Sequence, residues 1–183
     1  MANAIAEVIR PLRRVEYDQL VALGAFEDER IELLDGALVA MSPVGAPHCS
    51  AVQKLTKLLV LALVGRAEVR PQLAFAALEY SEPEPDLAVV PLGDYDTEHP
   101  AQAHLIIEVA ESSLAKDRGR KLRLYAACGI PEYWIVNLCD RCIEVYTEPV
   151  ASGYAQQSAF APGAAIALCA FPDVSLRVAD IVK

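Results

Sequence analysis

Residues 84–90 read EPDLAVV, and residues 104–109 read HLIIEV. Each run contains enough apolar residues for a buried strand, yet Asp86 begins the apolar part of the first run and Glu108 lies within the second. A buried carboxylate must be protonated, ion-paired or bound to a metal, because burying it alone costs several kcal/mol. A polar sheet face at Glu108 and a simple turn at Pro85-Asp86 are the ordinary alternatives. Two carboxylates on neighbouring strands favour a pair of Mg²⁺ or Mn²⁺ ligands.

A lysine downstream of these strands, Lys121, adds a third chemical group. A helix is predicted from Asp117 to Gly129, since Pro131 follows directly as a stop signal. At about 100° per residue, Lys121 shares a helix face with Leu124 and Tyr125, so it is predicted to point toward the sheet. The functional interpretation is an ammonium beside the attacking water and a phosphate. The alternative is a lysine that extends along apolar surface to solvent.

Basic residues are concentrated around this lysine. The run Lys116–Arg123 contains five basic residues and one acid, in a chain whose net charge is −9. Such a local positive charge suits contacts with phosphate groups, although a solvated basic helix face is the ordinary explanation. The candidate phosphate contacts are Arg118, Arg120 and Arg123.

The remaining pattern predicts a single domain over residues 1–183, of mixed α+β class, with helices against a curved central sheet. With 54% hydrophobic and 22% charged residues, the chain is not a disordered protein. Asp35-Gly36 between two apolar runs predicts a hairpin. Further helices are predicted at 15–23 and 47–64, and further strands at 67–72, 73–78, 133–137 and 142–146.

Several classes of protein are not expected. The longest apolar run has seven residues, Leu58–Val64, which predicts no membrane span, and Met1–Glu7 lacks the features of a signal peptide. Five cysteines, an odd number, indicate reduced thiols and a cytoplasmic protein. The absence of a Gly-rich phosphate loop predicts no nucleotide cofactor. The Cys139-x-x-Cys142 pair is interpreted as a hairpin turn, because no second ligand pair for zinc has matching spacing.

A family resemblance joins these motifs. Pro85-Asp86, Glu108 and a downstream lysine resemble the PD-(D/E)XK nuclease signature, and the chain more closely resembles the Uma family of putative restriction endonucleases. The resemblance implies a restriction-endonuclease-like fold and covers nearly the whole chain. The stretches that carry it are RIELLDG (30–36), MSP (41–43) with His48, EPDLAVV (84–90), IEVAESS (107–113), DRGRKLRLY (117–125) and GIPEYWIV (129–136).

The resemblance also implies roles for single residues. Asp86 and Glu108 would bind Mg²⁺ or Mn²⁺, and the carbonyl of Val109 is a possible third ligand. Glu32 would help to bind metal or to orient water, unless it is a hairpin acid on an exposed strand face. Lys121 would orient or deprotonate the attacking water and offset charge on the phosphate.

The chain departs from the superfamily pattern after Glu108, because Ala110 stands where that pattern has lysine. Either the lysine has moved to Lys121, with Lys116 as the second choice, or the site is inactive. His48 is expected to cap or pack a helix start, with a direct catalytic role as the alternative. Asp117 is expected to be the N-cap of the Lys121 helix, or else to orient Lys121.

The favoured function is an endonuclease, a metal-dependent hydrolase that cleaves DNA phosphodiester bonds. A homodimer is expected, since a double-strand cut needs two active sites. The alternative is a non-catalytic binding or assembly module that keeps the fold. The negative net charge and Ala110 favour that module. A hydrolase that acts on sugars with a carboxylate pair is a weaker third hypothesis.

Overall fold

Residues 9–182 are described in a computed structural model of the chain. The stretch Met1–Glu7, where no signal peptide is expected, lies outside the described residues. Across the described part, no helix is both long and apolar enough to span a membrane.

The helices are α1 (Arg14–Ala22), α2 (Ala46–Leu63), α3 (Leu114–Lys116), a π-helical turn (Asp117–Lys121), α4 (Leu122–Ala127) and a 3₁₀ turn (Val178–Asp180). The strands are β1 (Ile31–Leu34), β2 (Ala37–Ala40), β3 (Glu68–Pro71), β4 (Leu87–Val90), β5 (Leu105–Ala110), β6 (Glu132–Asn137), β7 (Cys142–Val150), β8 (Gly153–Phe160), β9 (Ala165–Ala167) and β10 (Ser175–Arg177).

The central sheet has six strands in the order β3-β4-β5-β6-β7-β8. β5 and β6 run parallel, and the other neighbouring pairs in this sheet run antiparallel. The parallel pair requires a crossover, and α3, the π-helical turn and α4 supply it. This mixed sheet with flanking helices confirms the predicted α+β class.

The sheet separates two apolar layers. Side chains alternate along each strand, so odd-numbered residues of β5 such as Ile107 pack on the α2 side, where Leu55 and Leu59 are fully buried. Even-numbered residues such as Ile106 pack on the opposite side, against Tyr125 of α4. Glu108 is even-numbered, and this parity turns its side chain toward the crossover helices.

The first hairpin brings an N-terminal segment to the sheet. β1 and β2 pair antiparallel around Asp35 and Gly36, whose φ angles are 45° and 75°. Two positive φ angles are what a two-residue hairpin turn needs, so the Asp-Gly prediction is confirmed. Leu33 forms a bridge with Glu82, which anchors β1 next to the segment that leads into β4.

Two local predictions are wrong. Residues 73–78 form no strand, because their backbone bonds go to proline-containing loops: Phe75 N–H donates to the Pro83 carbonyl and Ala76 N–H to the Pro100 carbonyl. The helix expected to begin at Asp117 begins at Leu114 instead, and Lys116 lies within it.

Asp117 therefore does not cap this helix. Ser113 precedes the helix, and its hydroxyl donates to Asp117 Oδ2 at 2.5 Å, so this carboxylate is held by a side chain from the preceding turn. The five residues Asp117–Lys121 then form a single π-helical turn. Such insertions are rare and frequently occur at functional sites. Here the wider turn buries both Asp117 and Lys121.

Candidate active site

Glu108 lies inside β5 with only 4% of its surface exposed. Its Oε1 accepts two hydrogen bonds, from Lys121 Nζ at 2.9 Å and from the Tyr125 hydroxyl at 2.7 Å. Among residues 9–182, no donor is hydrogen-bonded to the other oxygen, Oε2. Since Glu108 also lines the pocket described below, Oε2 is the oxygen left for a ligand there.

Asp86 is placed beside Glu108 by the register of the sheet. Leu87 pairs with Ile107 in antiparallel β4 and β5, so the residue before Leu87 meets the residue after Ile107. The Asp86 carboxylate accepts a hydrogen bond from the backbone N–H of Val109 at 2.8 Å. The ring Nε2 of His48 lies 3.1 Å from the same oxygen, Oδ2, and 3.0 Å from Oδ1. Strand β5 and the first turn of α2 thus hold this carboxylate.

Lys121 faces the sheet, as its helical position predicts, and only 2% of its surface is exposed. Its Nζ lies 2.9 Å from Glu108 Oε1 and 3.1 Å from Glu32 Oε2. Lys116 Nζ binds the other oxygen of Glu32 at 2.8 Å. Glu32 is completely buried, so the interpretation of an acid on an exposed strand face is wrong. Lys121 is accordingly an internal cation between two carboxylates from different sheets.

The charges in this cluster alter one another's protonation. Burial raises the pKa of Glu108; Lys121 opposes this, while the nearby carboxylates of Asp117 and Asp86 add to it. Burial lowers the pKa of Lys121, but attraction to Glu108 and Glu32 outweighs that effect and the net pKa is raised. Lys121 therefore stays an ammonium, whereas the raised pKa of Glu108 favours its protonated form when no metal is bound.

One pocket of about 300 Å³ joins these groups. Glu84 and Glu111, which the sequence argument did not single out, also line it, and burial raises the pKa of Glu84. Glu84 directly precedes Pro85-Asp86, and this position next to the strongest motif is the sequence feature that could have identified it as a pocket residue. The candidate residues that line the pocket are His48, Asp86, Glu108, Val109, Lys116, Asp117 and Lys121.

Comparisons with known proteins show the family and the fold of this chain. The sequence matches the Uma2 family, described as "Putative restriction endonuclease", over residues 14–179. The chain belongs to the Uma2 family. It is also similar to a solved structure described as "a putative nuclease belonging to DUF820 from Anabaena variabilis", with a TM-score of 0.72 and 15% identity over 93% of this chain and 97% of that chain. At that identity the likeness shows the shared fold, which confirms the predicted fold class. Among curated proteins, none matches at a significant level.

The match to the Uma2 family covers the region that contains the quoted motifs. Ala110 lies two residues after Glu108 on the same strand face, where it is 1% exposed within the apolar layer around Tyr125 and Ile135. The lysine that contacts Glu108 is Lys121, which lies in the crossover on this face of the sheet.

The three candidate phosphate-binding arginines of this Uma2 chain do not line the pocket. Arg118 donates two hydrogen bonds to Glu144, at 2.9 and 2.6 Å. Arg120 donates to Asp35 at 2.7 Å and to the Leu34 carbonyl, while Arg123 is exposed. Arg118 and Arg120 therefore stabilise the positions of neighbouring segments.

The donor set fits a hard divalent cation. Within residues 9–182, no three or more His, Cys, Asp or Glu side chains form a ready-made metal cluster. Mg²⁺ does not need one, since it is commonly held by one or two carboxylates together with waters and substrate phosphate. The unpaired Oε2 of Glu108 and the pocket-lining Asp86 are such a pair, and a cation between them would relieve their mutual repulsion.

Proposed function

We propose that this chain is an endonuclease that uses Mg²⁺ or Mn²⁺ to hydrolyse DNA phosphodiester bonds. One observation carries the proposal: Asp86 directly before β4, Glu108 in β5 and Lys121 in the crossover meet in one pocket. Carboxylates beside a lysine are the groups that metal-assisted phosphodiester hydrolysis requires. Membership of the Uma2 family supports the same activity.

The metal would be held by Asp86 and by Oε2 of Glu108, with the carbonyl of Val109 as a further oxygen donor. A bound divalent cation supplies charge that polarises a phosphate and lowers the pKa of water. The chain fixes the orientation of Asp86 through the Val109 N–H and His48. Without these bonds the carboxylate could rotate, and the distance between the two ligands would vary.

Lys121 would orient the attacking water and stabilise charge on the phosphate. An ammonium has three donors, and two of them are directed to Glu108 and Glu32. The third is available for a water or a phosphate oxygen. Glu32 thereby acts as a positioning residue, and Lys116 holds Glu32 from its other side.

Further residues would act at the edges of the pocket. Asp117 has a buried Oδ1 without a hydrogen-bond partner among the described residues, and we assign it to the orientation of Lys121. Arg123 would contact phosphates of the DNA backbone from the exposed helix face. Arg120, whose partner Asp35 is exposed, would do so by exchanging that partner for a phosphate group, whereas Arg118 stays bound to the buried Glu144.

We further propose that residues 1–183 form one domain and that two copies act as a homodimer in the cytoplasm. A double-strand cut needs two active sites, which supports the dimer. Light scattering at micromolar concentration, with and without a short DNA duplex, tests it, and a monomer under both conditions would contradict it.

The decisive experiment measures nicking of supercoiled plasmid at low salt with added Mg²⁺ or Mn²⁺. Wild type is compared with Glu108→Gln and Lys121→Met, with Glu148→Gln on the exposed part of β7 as the matched control. We expect cleavage by wild type and the control, and loss in both site variants. Loss in Glu108→Gln alone would transfer the lysine role to Lys116. If wild type neither cleaves the plasmid nor binds metal, the endonuclease proposal is contradicted and the non-catalytic binding module is the remaining hypothesis.

A further inference from the structure

We propose that Tyr125 is a positioning residue that holds the Glu108 carboxylate so that Oε2 is presented to the metal. The inference rests on the proposed function, because it assigns Tyr125 a role toward the same cation. Tyr125 does not line the pocket and would not touch metal or substrate.

The geometry places two donors on a single oxygen. Tyr125 and Lys121 are four residues apart and lie on the same face of the crossover helix. The Tyr125 hydroxyl lies 2.7 Å from Glu108 Oε1, and Lys121 Nζ lies 2.9 Å from that same atom. With Oε1 occupied twice, the carboxylate plane is set and Oε2 stays free.

The two donors differ in rigidity. Lys121 has a long flexible stem and also binds Glu32, so it does not by itself fix the rotation of the Glu108 carboxylate, whose terminal torsion is broad. Tyr125 is fully buried, and its ring packs against Tyr133 with 5.1 Å between ring centroids. A buried phenol needs a hydrogen-bond acceptor, and Glu108 is the acceptor it has.

The same sheet contains a matched tyrosine–glutamate pair for comparison. The Tyr146 hydroxyl donates to Glu144 Oε2 at 2.8 Å, and both residues are buried. Neither lines the pocket. The Tyr146→Phe variant is therefore a control. It removes a buried tyrosine–carboxylate hydrogen bond but leaves the candidate metal site unchanged.

The test is calorimetric titration of the whole chain with Mn²⁺, at one temperature below the lowest unfolding midpoint of the set. The proteins are wild type, Tyr125→Phe, Tyr146→Phe and Glu108→Gln. We expect Mn²⁺ binding by wild type and none by Glu108→Gln. Tyr125→Phe should bind at least about 10-fold more weakly, the usual loss when a group that orients a metal ligand is removed. Tyr146→Phe should bind like wild type.

The outcomes separate this inference from the function on which it rests. Equal affinity of wild type and Tyr125→Phe would overturn the positioning role and leave the metal site intact. Equal weakening in Tyr125→Phe and Tyr146→Phe would also overturn it, since the loss would then follow from any damage to the core. No Mn²⁺ binding by wild type would overturn the metal site and the positioning role together.

Discussion

Glu108 and Glu144 are two buried glutamates in the same row of the central sheet. Ile135 of β6 lies between them, paired with Glu108 on one side and with Glu144 on the other, so both side chains emerge on the face that carries the crossover helix. Each accepts a hydrogen bond from a tyrosine and from a cation of the Asp117–Lys121 turn. Their chemical environments nevertheless differ.

Both oxygens of Glu144 are occupied. Arg118 binds them in a bidentate manner, and Asn137 and Tyr146 add one bond each. Burial raises the pKa of Glu144, but these hydrogen bonds outweigh burial and the net pKa is lowered. Glu108, with one occupied oxygen, has a raised pKa and borders the pocket. A fully paired carboxylate stabilises the fold, whereas a partly paired one retains capacity for a ligand.

The largest expected effect is on catalysis at Glu108. Glu108→Gln keeps the volume and removes the charge, so we expect plasmid cleavage to fall by at least about 100-fold, as when one group that stabilises developing charge is lost. Glu144→Gln should leave cleavage at the wild-type rate. Equal losses of cleavage in the two variants would contradict the assignment of Glu108 to function and of Glu144 to stability.

The next effect is on stability at Glu144. Glu144→Gln weakens the bonds to Arg118 and Tyr146, and we expect the free energy of unfolding to fall by about 2 kcal/mol in urea titrations at pH 7. Glu108→Gln removes a carboxylate whose burial is incompletely compensated. Without added metal it should therefore destabilise less than Glu144→Gln does. The reverse order would contradict this comparison.

The contribution of Glu144 should also depend on pH. Its pKa in the folded protein is below the ordinary value of 4.5, so its ionised form stabilises the fold at pH values above 4.5. That contribution is lost as the pH falls through the folded-state pKa. The difference in unfolding free energy between wild type and Glu144→Gln should therefore be largest near neutral pH and shrink toward pH ~3. A constant difference from neutral to acid would contradict the lowered pKa.

The smallest effect is expected for the third cation of the same helical region, Arg120. Its partner Asp35 has a side chain that is 62% exposed, and exposed ion pairs contribute little. Arg120→Ala should lower the free energy of unfolding by less than about 1 kcal/mol. A larger loss in thermal or urea unfolding would show that the bond to the Leu34 carbonyl, rather than the ion pair, anchors the first hairpin.

Sequence patterns predicted those parts of the fold that depend on short-range order. Apolar runs identified β4 and β5, and Asp35-Gly36 identified the first hairpin. Helical spacing was enough to predict that Lys121 faces the sheet. Residues 73–78 were mistaken for a strand because β propensity says nothing about whether a partner strand lies alongside.

The π-helical turn was not predictable from the sequence alone, since it arises from packing of the crossover rather than from residue preferences. The capping role assigned to Asp117 failed for the same reason. The pairing of Glu32 with Lys116, 84 residues apart, was equally hidden, and only the resemblance to a nuclease family drew attention to Glu32.

The sequence by itself determined that Glu108 lies within an apolar strand, where a buried carboxylate needs a proton, a cation or a metal. It also indicated that one lysine, Lys121, faces the sheet from a helix. Tertiary structure alone decided which buried glutamate kept an oxygen free. That outcome depends on the distances between β5, β7 and the crossover turn, which give Glu144 an arginine with two parallel donors and Glu108 a lysine shared with Glu32. Hydrogen bonds depend on separations of a few tenths of an ångström, and local sequence patterns do not encode separations between distant segments.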